Sequence, residues 1–333
     1  MSICVHLWLK IIMKVLFITS SRIGDAVLST GLLRYIEQRY PDARVTVVCG
    51  PLVVSLFEGY PLLERLIPLK KEKRNMHWAK LWRQVVGTRW DMVVDLRNSA
   101  VSRLIMAKER YIFGGCAAKA AHKVRQNAAV MKLGHQVPGP KLWFTDVQKE
   151  KARGLIPEGG RVLGVGPTAN WIGKTWPAER FIEIVNFMIG PGGVMEGARV
   201  AVFGAPGEEE DALKVLESVP VERRIDCIAK GSPGEAAAAI ARCDFYLGND
   251  YGLMHCAAAA LVQTLGLFGP SYDLIYRPWG GHTDFVRTPE SFDQLIDFEG
   301  YDPASLDHTL MGSLSVEDVK AKIVEMFKKR RAA

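Results

Sequence analysis

Three stretches of the sequence end an apolar, β-branched run and then place polar side chains where a bound molecule could meet them. The first is "SSRIGDAVLSTGLLRYI", residues 20–36, directly after "VLFIT". A dinucleotide site at such a turn needs several glycines, to make the bend and to admit a pyrophosphate. Here Gly24 stands alone and Asp25 follows it. That carboxylate is either a first-turn helix acid, favoured by the helix dipole by about 0.3–1 kcal/mol, or a group that acts on a ligand. The second stretch, "GVGPTANWIGKTWPAERF" (164–181), puts Thr168, Asn170 and Lys174 in a loop before Pro177 opens a helix. Its donors suit an anionic group. The third, "LGNDYGLMHCAAAA" (247–260), has Asp250 where an N-cap would stand, Gly252 allowing close backbone approach, and His255 five residues beyond Asp250. Free amides at that helix start would favour phosphate. A plain cap and a satisfied core histidine are the competing readings. Between these two lies "FGAPGEEEDA" (203–212), a strand-to-helix turn carrying Glu208, Glu209 and Glu210, which a solvated acidic turn also explains.

The elements that must position these residues alternate along the whole chain. "KVLFIT", "RVTVVCG", "RLIPL" and "DMVVDL" read as buried strands in the first half, separated by helical stretches such as 25–39 and 76–87. "RVLGVG", "RVAVFG", "RIDCIA", "DFYLGN" and "TLGLFG" play the same part in the second. Continuous apolar strands alternating with helices imply parallel sheets covered on both faces. Ligands of such sheets sit beyond the carboxyl ends of the strands, where all the stretches above fall. The polar, glycine-rich segment 145–160 has no strand pattern and marks a break. The expected architecture is α/β, with one doubly wound unit over 13–150 and another over 151–333, facing each other across a cleft. Residues 315–331, "SVEDVKAKIVEMFKKRR", read as an amphipathic C-terminal helix with a Ser-x-x-Asp cap.

A length of 333 residues suits two domains, and 48% hydrophobic with 24% charged residues describes a soluble globular protein. The apolar start is interrupted by Lys10 and Lys14, is too short to span a bilayer, and lacks a cleavage site. Residues 1–12 are therefore read as an extension ahead of Met13. Six scattered cysteines (Cys4, Cys49, Cys116, Cys227, Cys243, Cys256) without a CxxC pair imply buried thiols in a reducing compartment, the cytoplasm. Net charge is +7, but residues 65–141 carry 17 Lys/Arg against four acids, so the remainder is net acidic. That imbalance is either a solvated basic face or the mark of an anionic partner. No RNA-binding aromatic signature or helix-turn-helix pattern accompanies it, which ranks nucleic acid last.

In order and spacing, "SSRIGDAVLST", "GKTWP" and "NDYGLMHCAAA" resemble the ADP-heptose:lipopolysaccharide heptosyltransferases of glycosyltransferase family nine, over nearly the whole chain from Met13. The resemblance implies a GT-B fold: two Rossmann-like domains, the first binding acceptor and the second nucleotide-sugar. It implies an ADP-heptose donor and an anionic lipopolysaccharide inner-core acceptor, Kdo or an attached heptose. It makes Asp25 the candidate general base, with Ser21, Arg22 and Gly24 on the acceptor side. Lys174 is expected at the donor phosphates, and Asp250, Gly252, Leu253 and His255 at the diphosphate and sugar. Thr168 and Asn170 are weaker candidates on the donor side, and Glu209, among the three glutamates, is the candidate for the ribose. Tyr251 departs from the family, where threonine is common, and "TANWIG" lacks the consecutive threonines of some members.

These residue types fit an inverting transfer on their own chemistry. A carboxylate takes the acceptor hydroxyl proton while the nucleoside diphosphate leaves from the opposite face. Leaving-group charge needs a cation or preorganised amides, which Lys174 and a helix start supply. No cofactor is called for, and the chain contains no Asp-x-Asp, the usual divalent-metal signature of other glycosyltransferases. The basic first half would face an anionic acceptor and the cytoplasmic leaflet, making the enzyme peripheral to that membrane. The alternative is a related GT-B transferase with another nucleotide sugar or a non-lipopolysaccharide acceptor.

Overall fold

The computed structural model describes residues 12–115 and 122–332; the proposed extension, save Ile12, and Cys4 and Cys116 lie outside them. The first unit is a five-stranded parallel sheet built from β1 (Lys14–Ile18), β2 (Arg44–Cys49), β3 (Leu63–Pro68), β4 (Trp90–Asp95) and β5 (Ala107–Ile112). Their order is β3-β2-β1-β4-β5. Helices α1 (Ile23–Arg39) and α2 (Met76–Val85) pack on it, and α3 (Lys123–Val130) packs on α1. The second unit is a six-stranded parallel sheet of β6 (Val162–Gly166), β7 (Arg199–Gly204), β8 (Arg224–Ile228), β9 (Phe245–Asn249), β10 (Gln263–Phe268) and β11 (Thr283–Arg287). Its order is β11-β10-β9-β6-β7-β8. Read from β8, that is the doubly wound sequence 3-2-1-4-5-6, whose ligand crevice lies where the winding reverses. The reversal falls between β1 and β4 in one sheet and between β6 and β9 in the other. β1 is buried except for its first residue, and β6 and β9 are buried throughout, which explains their unbroken apolar runs.

The apolar runs in the sequence predict nine of these strands. The other two, β5 and β11, are sheet edges: β5 exposes Lys108, Glu109 and Arg110, and no residue of β11 is fully buried. A strand with one open side needs no continuous apolar run.

The segment between the sheets is helical. Helix α4 (Asp146–Leu155) opens on a capping box in which Thr145 and Gln148 satisfy each other's backbone amides. It packs against α7 (Pro233–Ile240) of the second unit, while the Gln148 amide donates to the Ser55 carbonyl of the first at 2.8 Å. We propose that the units 13–150 and 151–333 divide within 145–160, where this helix touches both. The second unit is completed by α5 (Ala178–Ile189), α6 (Glu209–Ser218), α8 (Gly252–Ala259), α9 (Asp273–Tyr276), α10 (Phe292–Ile296) and α11 (Val316–Ala332). The last is capped as its sequence suggests, by Ser315 and Asp318. One apolar cluster joins Val15 and Phe17 of the first sheet with Ala201 and Phe203 of the second. No helix of the described residues is long and apolar enough to cross a membrane.

Candidate active site

Both switch points open onto the same space. After β1 the chain turns through Thr19–Arg22 into α1. Arg22 is the N-cap residue and Asp25 lies in the first turn, but no side chain caps this helix. Asp25 is half-buried, and its carboxylate has no hydrogen-bond partner among the described residues. It has a first-turn acid's position without a cap's bond.

In the second unit, Asn249 at the end of β9 ties the two donor-rich loops together. Its side-chain amide donates to the Pro167 carbonyl at 2.8 Å, and its oxygen accepts the Trp176 amide at 3.2 Å. This brings the Lys174 ammonium 2.8 Å from an Asp250 carboxylate oxygen. The Asp250 side chain is 7% exposed and Lys174 26%. Asp250 is therefore not the cap its position suggested: Tyr251 is the N-cap residue of α8, and it too makes no capping bond. The Met254 amide bonds the Tyr251 carbonyl, while the Gly252 and Leu253 amides at the start of α8 are left for another acceptor.

The two helix starts are packed together. A Cβ on Gly252 would lie 2.6 Å from Ile23 Cβ, and one on Gly24 would lie 2.8 Å from the His255 ring. Only glycine permits either approach. His255 is thus wedged between the units, 4% exposed, with Nδ1 unpartnered and Nε2 3.9 Å from Asp250. Burial drives its pKa down to about 4, against the opposing pull of Asp250 and Asp25, so it is neutral near pH 7.

A cavity of about 440 Å³ lies at this junction, lined by Ser21, Arg22, Gly24, Asp25, Asn170, Lys174, Asp250, Gly252 and His255, together with Leu52, Trp171, Tyr251 and Tyr276. A second, of about 410 Å³, adjoins it on the first unit and shares Ser21, Arg22, Asp25 and Tyr276. Its walls add Lys71, Arg97, Lys123 and Asn127. The buried Asp95 fixes one wall, its carboxylate accepting the Arg97 and Ser99 amides at 2.8 Å each. Asp25 sits where the two cavities meet. It is the one acid among the four cations of the second cavity.

Three residues expected on the donor side do not line the cavity. Leu253 is buried in the apolar core. Thr168 gives its hydroxyl to Glu208 at 2.6 Å, and Glu209 accepts the Gly207 amide at 3.0 Å. Glu208 is the inward glutamate: it also bonds the Tyr251 phenol, whose pKa is pushed up to about 12, first by burial and then by that carboxylate. Tyr251 thus anchors to Glu208 where the family pattern has a smaller hydroxyl. Sequence reasoning missed Tyr276, which lies on a four-residue helix without a pattern. Arg97 was within reach, because it follows a strand that reads plainly.

Two such parallel-sheet domains around a shared cleft define the GT-B class of glycosyltransferases. Residues 78–299 match glycosyltransferase family 9 (heptosyltransferase), and the chain belongs to that family. Lipopolysaccharide heptosyltransferase 2 of Escherichia coli K12 is 24% identical over 346 residues, covering 89% of this chain and 95% of its own. The crystal structure of a family 9 glycosyltransferase from Veillonella parvula superimposes with a TM-score of 0.76 at 19% identity, over 95% of this chain and 98% of that one. The E. coli heptosyltransferase WaaC with ADP superimposes with a TM-score of 0.70 at 19% identity, over 94% of this chain and 100% of its own.

Proposed function

We propose that this protein moves a heptose from ADP-heptose to a hydroxyl of the Kdo/heptose inner core of lipopolysaccharide, inverting the anomeric centre with Asp25 as general base. The observation that carries this reading is the place of Asp25, an unbonded carboxylate at the meeting point of two cavities. An acceptor in the cationic cavity would bring its hydroxyl to Asp25, which takes the proton as the oxygen attacks the heptose anomeric carbon. A base so placed contributes typically 10²–10⁴-fold. The bond to the ADP oxygen breaks on the opposite face, and the negative charge that develops there meets Lys174 and the free amides of α8. Asp250 holds Lys174 in position until the diphosphate arrives. Glu208, bonded to Thr168 and to the cavity-lining Tyr251, is the candidate for the nucleoside ribose.

The relatives named as heptosyltransferases support donor and acceptor, and the cationic walls support a phosphorylated, carboxylated acceptor. On this reading the enzyme works without a metal ion or a cofactor, in the cytoplasm, at the inner face of a membrane that presents the lipid-anchored acceptor. The test is calorimetric titration of ADP, UDP and GDP, together with transfer assayed in excess EDTA. Tightest binding of ADP and undiminished turnover in EDTA are expected. Preference for UDP or GDP would favour another nucleotide sugar, and loss of turnover on chelation would overturn metal independence.

A further inference from the structure

The outer face of α2 and the segment after β4 make a surface that the transfer chemistry leaves unused. Along α2, His77, Leu81 and Val85 recur every four residues and are buried, the stripe that seats an amphipathic helix. The opposite side exposes Met76 (50%) and Trp82 (38%). The Trp82 indole N–H donates to the Leu104 carbonyl at 3.2 Å, which brings Leu104 (66% exposed) beside the helix and Met106 (52%) two residues on.

Several of the large apolar side chains that protrude elsewhere stand near acids in the chain: Leu213 follows Glu209, Glu210 and Asp211, Val221 precedes Glu222, and Phe298 lies between Asp297 and Glu299, while Leu52, Ile172 and Leu261 protrude singly. Around α2 the charge has the other sign. Residues 70–110 hold eleven Lys/Arg and four acids. Each acid is engaged: Glu72 with Lys80, Asp91 with Lys108, Asp95 with Ser99, and Glu109 with the Tyr111 hydroxyl. Lys73, Arg74 and Arg83 are exposed, with no ion-pair partner among the described residues. Lys71, from the same loop, lines the cationic cavity, so this surface begins at that cavity's edge.

We infer that this face, centred on Trp82 and Leu104 and flanked by Arg74 and Arg83, docks on an anionic lipid bilayer. The inference rests on the reading of a lipid-anchored acceptor and says which side of the protein meets the membrane. An indole and aliphatic side chains enter the headgroup region, and the cations answer anionic lipid; together they give the two signals that reversible surface binding requires. A second copy of the chain would set like charges face to face. A nucleic acid would leave the apolar centre unused.

The experiment is co-sedimentation of the full chain with phosphatidylcholine vesicles, with and without phosphatidylglycerol. The variants are Trp82→Ser/Leu104→Ser and Arg74→Glu/Arg83→Glu, checked for native circular dichroism. The wild type should sediment with the anionic vesicles and lose binding as salt rises, and each double variant should bind at least tenfold less. Transfer to a soluble, delipidated acceptor should stay at the wild-type rate in all three. Wild-type protein that ignores anionic vesicles, variants that bind as well as wild type, or an oligomer that the variants dissociate would overturn the inference. The soluble-acceptor assay judges the transfer reaction separately: absence of transfer there sinks the proposed function whether or not vesicles bind.

Discussion

The starts of α1 and α8 are built alike and set in different surroundings. Each follows a buried central strand at its sheet's switch point, each lacks a side-chain cap, and each places an aspartate beside a glycine that lets the other unit approach. Yet Asp250 is nearly buried and bound to Lys174 at 2.8 Å, whereas Asp25 is half-buried and unbonded. On the proposed reading, the aspartate tied to a lysine holds that cation for a phosphate. On the same reading, the aspartate left unbonded beside a cationic cavity is the base for the acceptor bound there. In the proposed transfer, the surroundings, more than the backbone corner, divide the work between base and binder.

Mutations should break this pair unequally. The largest effect is expected for Asp25→Asn, a loss of roughly 10²–10⁴ in kcat, because the amide cannot accept the proton. The next concerns pH. His255 has a folded pKa of about 4 against an ordinary 6.5, so below pH 6.5 the unfolded chain takes up a proton that the folded protein refuses. Stability present above pH 6.5 should therefore be lost as pH falls toward 4, by up to roughly 3 kcal/mol at 1.36 kcal/mol per unit. Urea melts of His255→Gln across that range should show a flatter dependence. Burial lowers the pKa of His122 as well, so part of the slope should survive.

Lys174→Ala should weaken ADP binding by about 10–100-fold, the worth of a charge-assisted hydrogen bond, and lower transfer with it. Calorimetry reads the first and product mass the second. Smallest is Gly24→Ala, whose methyl meets the His255 ring at the seam; overpacking should cost about 1–3 kcal/mol in chemical denaturation. If Gly24→Ala left stability unchanged, the seam would be looser than described and the link between the two helix starts would weaken.

The central strands were legible in the sequence because both their faces are buried, which forces runs such as "FYLGN" and "VLGVG". The edges β5 and β11 were not, since "AKERYI" and "TDFVR" must satisfy solvent along one side. At the site, Asp25, Lys174, Asp250 and His255 were each visible as polar residues just past a strand, and the structure gathers them around one cavity. The choice among Glu208, Glu209 and Glu210 was not legible, because which one faces inward depends on the register of a single helical turn. That Asp250 serves Lys174 instead of capping α8 depends on a contact across 76 residues, which no local pattern reports.

The most direct test of the account pairs two quantities on one variant: ADP affinity of Asp25→Asn by calorimetry, and its transfer of heptose to a Kdo-bearing acceptor by product mass. Affinity within about twofold of wild type, alongside a transfer loss of roughly 10²–10⁴, is the predicted result. A helix acid without chemical duty gives a different one, since asparagine is well tolerated at a helix start and transfer would stay near normal. Full activity in Asp25→Asn would contradict the assignment of the base, however well the fold and the donor side are described.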